Sequence, residues 1–121
     1  MKNKDFTICK TVFGKKIRAS VKKLDCGCHV LITGGDCTHI GAVTLIGQEM
    51  DEQTIERKNH RDSAVSRKWA GEIHSRTKEP VCICCGIHYD GISKEQIARI
   101  MESLDVMLAD VVTRLSEAAP E

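Results

Sequence analysis

Val81-Cys82-Ile83-Cys84-Cys85-Gly86-Ile87-His88-Tyr89-Asp90-Gly91-Ile92-Ser93 is the stretch on which the architecture turns. Its first five residues are apolar without alternation, which reads as a strand covered on both faces. The run then becomes polar at His88-Tyr89-Asp90, and Ser93 followed by Gln96 is a capping-box helix start. Downstream, Ile97, Ile100, Met101, Leu104, Met107, Leu108, Val111, Val112 and Leu115 recur at intervals of three and four, predicting one long amphipathic helix. Upstream, Val65, Trp69 and Ile73 recur every four residues, a second helix from Ser63 to about Arg76, with Pro80 closing the connection.

Before Ser63 the period falls to two. Phe6, Ile8 and Val12 share one face of a strand over about 5–13, and Gly14-Lys15-Lys16 reads as a hairpin turn. Ile17, Ala19 and Val21 alternate with Arg18, Ser20 and Lys22. Further strands are expected at 29–33, 39–46 and 52–58. The order is βββββ-α-β-α, an α+β fold with a mostly antiparallel sheet of about six strands and two helices. Strands three to five are expected as a meander, with a crossover through the first helix laying the sixth strand parallel to the fifth. The last helix carries a broader apolar stripe than one sheet face of this size needs, so burial of that helix or of an uncovered sheet face in a homodimer is expected.

The 121 residues fall within the size of one domain, 1–121. Net charge is +1 and aromatics make up 3%, so neither a global field nor stacking platforms point to nucleic acid. The short basic pairs Lys15-Lys16, Lys22-Lys23 and Arg57-Lys58 read as solvated strand ends. No stretch has the length of a membrane span, and Met1-Lys2-Asn3-Lys4-Asp5 does not open a signal peptide, so a cytoplasmic protein is expected. Its seven cysteines are an odd number and are expected as reduced thiols.

Three motifs put ligand-type residues at strand ends: Gly34-Gly35-Asp36-Cys37-Thr38-His39-Ile40-Gly41-Ala42-Val43, Asn59-His60-Arg61-Asp62, and Gly86-Ile87-His88-Tyr89-Asp90. The expected topology gathers them on one edge, beside two helix N-termini suited to an anion. His39, His60 and His88 are candidate ligands for a divalent metal, with Asp36, Asp62 and Asp90 orienting them. Gly34, Gly35 and the helix start at Ser93 are candidates for a phosphate cradle. Against this, each His-x-Asp also fits a helix-capping aspartate beside a surface histidine, and Gly34-Gly35 fits a plain turn. Cys26, Cys28, His29, Cys37 and His39 form a rival zinc set, although without zinc-knuckle spacing. Cys82, Cys84 and Cys85 read as small core hydrophobes, with a nucleophile among them as the alternative. Met101 and Met107 read as packing. No zincin, zinc-ribbon, P-loop or dinucleotide fingerprint is present.

Taken together, Gly-Gly-Asp-x-x-His-Ile-Gly-Ala-Val at 34–43, His-Arg-Asp at 60–62 and Gly-Ile-His-Tyr-Asp-Gly-Ile-Ser at 86–93 resemble the LpdD-like family. These are the small D subunits of gallate and hydroxybenzoate decarboxylases of the UbiD type, described as prenylated-flavin chaperones. The resemblance covers most of the chain and implies a fold similar to proteasome-assembling chaperones, commonly dimeric. It implies a non-catalytic accessory protein that carries prenylated FMN as cargo to a UbiD-type decarboxylase, with a flavin prenyltransferase as a further partner. Asp36, His39, His60, Asp62, His88 and Asp90 would then line the flavin or metal site. The family pattern would place a second acidic residue after Asp62, where Ser63 stands. A small metal-dependent hydrolase using the His/Asp cluster and a ligand-free assembly chaperone are the other functions these residues allow.

Overall fold

A computed structural model describes residues 5–58 and 60–117. Asn59 of the second motif, and residues 1–4 on which most of the leader reading rests, lie outside the described residues. The elements run β1 (Phe6–Val12), β2 (Lys15–Lys23), β3 (Cys28–Gly35), β4 (Ala42–Gly47), β5 (Met50–Glu56), α1 (Ser63–Thr77), β6 (Val81–His88) and α2 (Lys94–Glu117). The predicted order and both helices are therefore present. The first hairpin is tighter than expected: Phe13 and Gly14 alone link β1 to β2, both at positive φ, as a two-residue hairpin turn requires.

The sheet order is β1-β2-β3-β6-β4-β5. This corrects the expected meander, because β6 separates β3 from β4. It lies parallel to β3 and antiparallel to β4, while β4 pairs antiparallel with β5. β6 thus runs in the same direction as β5, as expected, without touching it. The most continuously apolar strand takes a central place, where both of its edges are paired. To reach β4 from β3, residues 36–41 must pass over the end of β6. Residues 39–41 of that passage, expected as the start of a strand, belong instead to a loop pinned to β6 by Asp36 N–H donating to the His88 carbonyl (2.6 Å) and Gly41 N–H donating to the Cys85 carbonyl (2.9 Å).

Both helices cover one sheet face. Val30, Ile32, Ile83 and Cys85 point into it and are fully buried, with Trp69 and Ile73 of α1 and Leu104 and Val111 of α2 above them. Thr44 is the polar exception: its hydroxyl is hydrogen-bonded to Ser66 of α1 (2.8 Å) and Thr54 of β5 (2.9 Å). The opposite face is not covered by any other described element. Cys82 and Cys84 lie there half-exposed beside Leu45, which corrects the expectation that β6 is covered on both sides and that all three of its cysteines are core residues. Only Cys85 is.

Lys22 is exposed, but Lys23 is not a solvated strand end. It is buried at 6% exposure, and its ammonium donates to the Gly27 carbonyl and bridges Glu79 at 3.1 Å. The α2 stripe is consumed mainly inside the chain, with Ile100, Leu104, Met107, Leu108, Val111 and Leu115 all buried. No described helix is long and apolar enough to cross a membrane.

Candidate functional site

The ends of β3, β5 and β6 and the start of β4 do meet at one edge, although by a different strand order from the one expected. The 36–41 loop lies so close on β6 that a side chain at Gly86 would collide with the His39 carbonyl, and one at Gly41 would collide with the Asp62 carboxylate. These two glycines let His39 descend toward the segment that precedes α1. The His39 and His60 rings stand 5.1 Å apart, centre to centre, and His39 Nε2 lies 3.4 Å from Asp62 Oδ2.

Asp62 is buried at 7% exposure and does not cap α1 with its side chain, so the capping explanation of its motif fails. Its Oδ1 instead accepts the Ile87 N–H at 3.0 Å and the Cys85 S–H at 3.9 Å. The anionic partner of the α1 N-terminus is Glu56, at the end of β5, which accepts the Ser63 N–H at 3.0 Å. Hydrogen bonds from Ser63, helped by nearby His60 and Arg61, hold the Glu56 carboxyl below its ordinary range.

His39 and His60 are oriented alike. Their Nδ1 atoms face the carbonyls of Cys37 (3.1 Å) and Lys58 (2.8 Å). A carbonyl only accepts, so each Nδ1 carries a proton and Nε2 is the nitrogen left for other partners. His88 pairs instead with Asp90 at 2.8 Å. Asp36 forms the brace behind it: it accepts the Asp90 N–H at 2.8 Å and bridges Lys15 at 3.2 Å. The Asp90 amide, and then Lys15, lower the Asp36 carboxyl. Tyr89 anchors the same strand end by donating to the Val12 carbonyl at 2.9 Å.

Two hollows open at this edge. The larger, about 530 Å³, has an apolar wall that includes Ile87, Ile92, Ile97 and Met101 and a polar mouth of His39, His60, Arg61, Asp62 and His88. The smaller, about 260 Å³, is lined by Cys37, His39, Arg57, His60 and His88. The three histidines therefore line both. Gly34 and Gly35 belong to β3, paired with Ile87 and His88, and are outside both linings. Asp36, Asp90 and Ser93 are likewise outside both linings, and the Ser93 hydroxyl accepts the Gln96 N–H at 3.2 Å, completing the expected capping box.

Arg57, Arg61, Ile92 and Ile97 were not among the expected site residues: Arg57 was read as a solvated strand end and Ile97 as part of the α2 apolar stripe. Ile97 offered a signal, as a helical apolar residue that remains 47% exposed, but only the position of the helix end gives that exposure meaning. Met101, read as packing, is half-buried in the wall of the larger hollow, whereas Met107 is core.

The donor atoms of His39, His60 and His88 do not converge as a metal triad. Among the described residues the grouping that does is His29, Cys82 and Cys84, with ligand atoms within 4.8 Å of one another. The rival zinc set is dispersed: Cys28 points inward, His29 outward, and Cys37 and His39 lie beyond the far end of β3. Cys85 is a poor nucleophile, since burial and the neighbouring Asp62 carboxylate push its thiol far up.

A family model described as the prenylated flavin chaperone LpdD-like domain matches residues 11–116. Protein LpdD of Lactiplantibacillus plantarum is 25% identical over 107 residues, covering 84% of this chain and 79% of that protein. Among solved structures, a chain from the crystal structure of a chaperone complex for yeast 20S proteasome assembly superposes with a TM-score of 0.60 at 13% identity, over 92% of this chain and 98% of that one. At that identity the likeness speaks for the fold, the one expected.

Proposed function

Because this chain belongs to the LpdD-like family of prenylated-flavin chaperone domains, we propose that it binds prenylated FMN at the His39/His60/His88 edge and carries it to a UbiD-type decarboxylase. The observation that supports this is the pair of adjoining hollows. The larger falls within the usual size of a ligand pocket (~300–1,000 Å³) and backs a polar mouth with Ile87, Ile92, Ile97 and Met101, as an extended tricyclic ring requires. The smaller places Arg57 and three imidazoles around a space suited to a phosphate.

In this reading the ring lies on the isoleucine wall, and the phosphate is held by Arg57 and by the Nε2–H groups of His39 and His60, each ring taking up a second proton to donate to the anion. Asp62 sets the His39 ring, while the Asp36–Asp90–His88 brace fixes the strand end. A divalent cation beside the phosphate belongs to the same reading, as do a homodimer and contact with a flavin prenyltransferase. Nothing in the arrangement calls for turnover by this chain.

The test is titration with reduced prenylated FMN and with FMN, with and without magnesium or manganese, followed by flavin fluorescence. Binding without turnover is expected. His60→Ala and Arg57→Ala should each weaken it on the order of tenfold or more, the worth of a hydrogen bond to a charged group. Ile97→Glu should weaken it by closing the apolar wall. Equal affinity in all three variants, or hydrolysis of the phosphoester, would overturn the proposal.

A further inference from the structure

The uncovered sheet face carries a second cluster that the flavin reading does not use. In the β3–β6 register His29 lies opposite Cys82 and Leu31 opposite Cys84, so His29, Cys82 and Cys84 project from the same face of two adjacent central strands. All three are half-exposed, and their Nε2 or Nδ1 and Sγ atoms lie within 4.8 Å of one another. His29 Nε2 is 3.5 Å from Cys84 Sγ. With ordinary zinc bond lengths a tetrahedron has S···N edges of ~3.6 Å and S···S edges of ~3.8 Å, so only small rotations of the side chains would close the set around an ion.

We propose that His29, Cys82 and Cys84 form a binding site for a zinc-class divalent cation, with a fourth position open to solvent. Two thiolates and one neutral imidazole are the donor set such a borderline-soft ion prefers, and they leave the cluster without net charge. That neutrality suits its surroundings, since Leu45 lies opposite Cys82 and Val43 opposite Cys84 on the next strand. The donors stand on paired central strands, which fix their backbone positions before the ion arrives. Lys22, opposite His29 on the other side, has its charge engaged by Asp5 at 3.3 Å. Binding converts two thiols to thiolates: the cation gains two Sγ bonds and one imidazole nitrogen, and two protons are released to solvent.

The site is separate from the flavin edge. His29 and Cys82 lie near the starts of β3 and β6 on the face away from the helices, whereas the hollows lie beyond the ends of those strands. The sequence did contain its signal. Cys-x-Cys in a strand puts both thiols on one face, but nothing local pairs that strand with the one carrying His29.

The test is anaerobic titration of the reduced, metal-free full chain with cobalt(II). One equivalent should produce thiolate-to-cobalt charge transfer and tetrahedral d–d bands, and zinc should abolish both. Cys82→Ser, Cys84→Ser and His29→Asn should each weaken or lose the signal while keeping the far-ultraviolet circular dichroism of the parent. A combined Cys9→Ser/Cys26→Ser/Cys37→Ser variant, and separately His60→Ala, should retain it; the latter distinguishes this site from the flavin edge. Absence of a stoichiometric signal, its persistence in His29→Asn, or a Cys82–Cys84 disulfide in the freshly reduced protein would overturn the proposal.

Discussion

Asp62 shows how much a single buried carboxylate can organise. It sits one residue before α1, where an aspartate ordinarily caps the helix, yet its side chain turns inward to Ile87 N–H and His39. Asp62→Ala leaves a partly buried amide without its acceptor, so urea unfolding should show a loss of about 1–2 kcal/mol, beyond any effect on ligand binding. Asp62→Asn, which keeps an acceptor oxygen, should recover part of that loss. The cysteines divide by the same criterion of burial. Desolvation raises the Cys28 thiol to about 11, and Cys85 is raised further still, whereas Cys9, Cys26 and Cys37 are exposed. Mild alkylation of the native protein should therefore mark Cys9, Cys26 and Cys37 first and spare Cys28 and Cys85. Because the folded state holds the Cys28 and Cys85 thiols neutral, their contribution is fully present below the ordinary thiol value of ~8.5 and is lost as pH rises above it. Alkaline titration should thus lower stability in the parent more steeply than in Cys28→Ala.

Elements were legible where periodicity is local. Val65, Trp69 and Ile73 gave α1, and Ser93 with Gln96 gave the start of α2 to the residue. What caps α1 was not legible, because Glu56 reaches it from β5, across the loop that contains the His-Arg-Asp motif. Its carboxyl is lowered by the Ser63 hydrogen bonds, which fixes the sign of its pH dependence. At neutral pH the folded and unfolded carboxyls are both ionised and the stabilisation is complete. As pH falls through the ordinary glutamate value of ~4.3 the unfolded chain takes up its proton first, and the stabilisation is progressively lost. Glu56→Gln should therefore be less stable than the parent at pH 7, with the difference shrinking toward pH 3 in acid-unfolding curves. A gap that stays constant with pH would mean the carboxylate acts by shape alone.

At the scale of the molecule, the gathering of the three histidines was legible before the topology was. The expected meander and the observed order both bring His39, His60 and His88 to one edge, because strand direction, which the two share, decides which ends meet. Strand neighbours are set by long-range pairing, and nothing near residues 81–88 states that they lie between β3 and β4. That insertion has a consequence for folding. The β1-β2-β3 and β4-β5 groups have no ladder with each other among the described residues, and β6 bonds to both. Ile83 stands at the junction, fully buried and paired with Val30 on one side and Thr44 on the other. Ile83→Ala removes packing shared by the two halves and should cost about 2–5 kcal/mol. The loss should fall on both together: backbone amide exchange in β3 and in β4 should accelerate by the same factor, with one unfolding transition by every optical signal. If β4 and β5 loosen while β1 to β3 keep their protection, the strand does not unite the sheet, and the edge that gathers the histidines would depend on the loop over Gly86 instead.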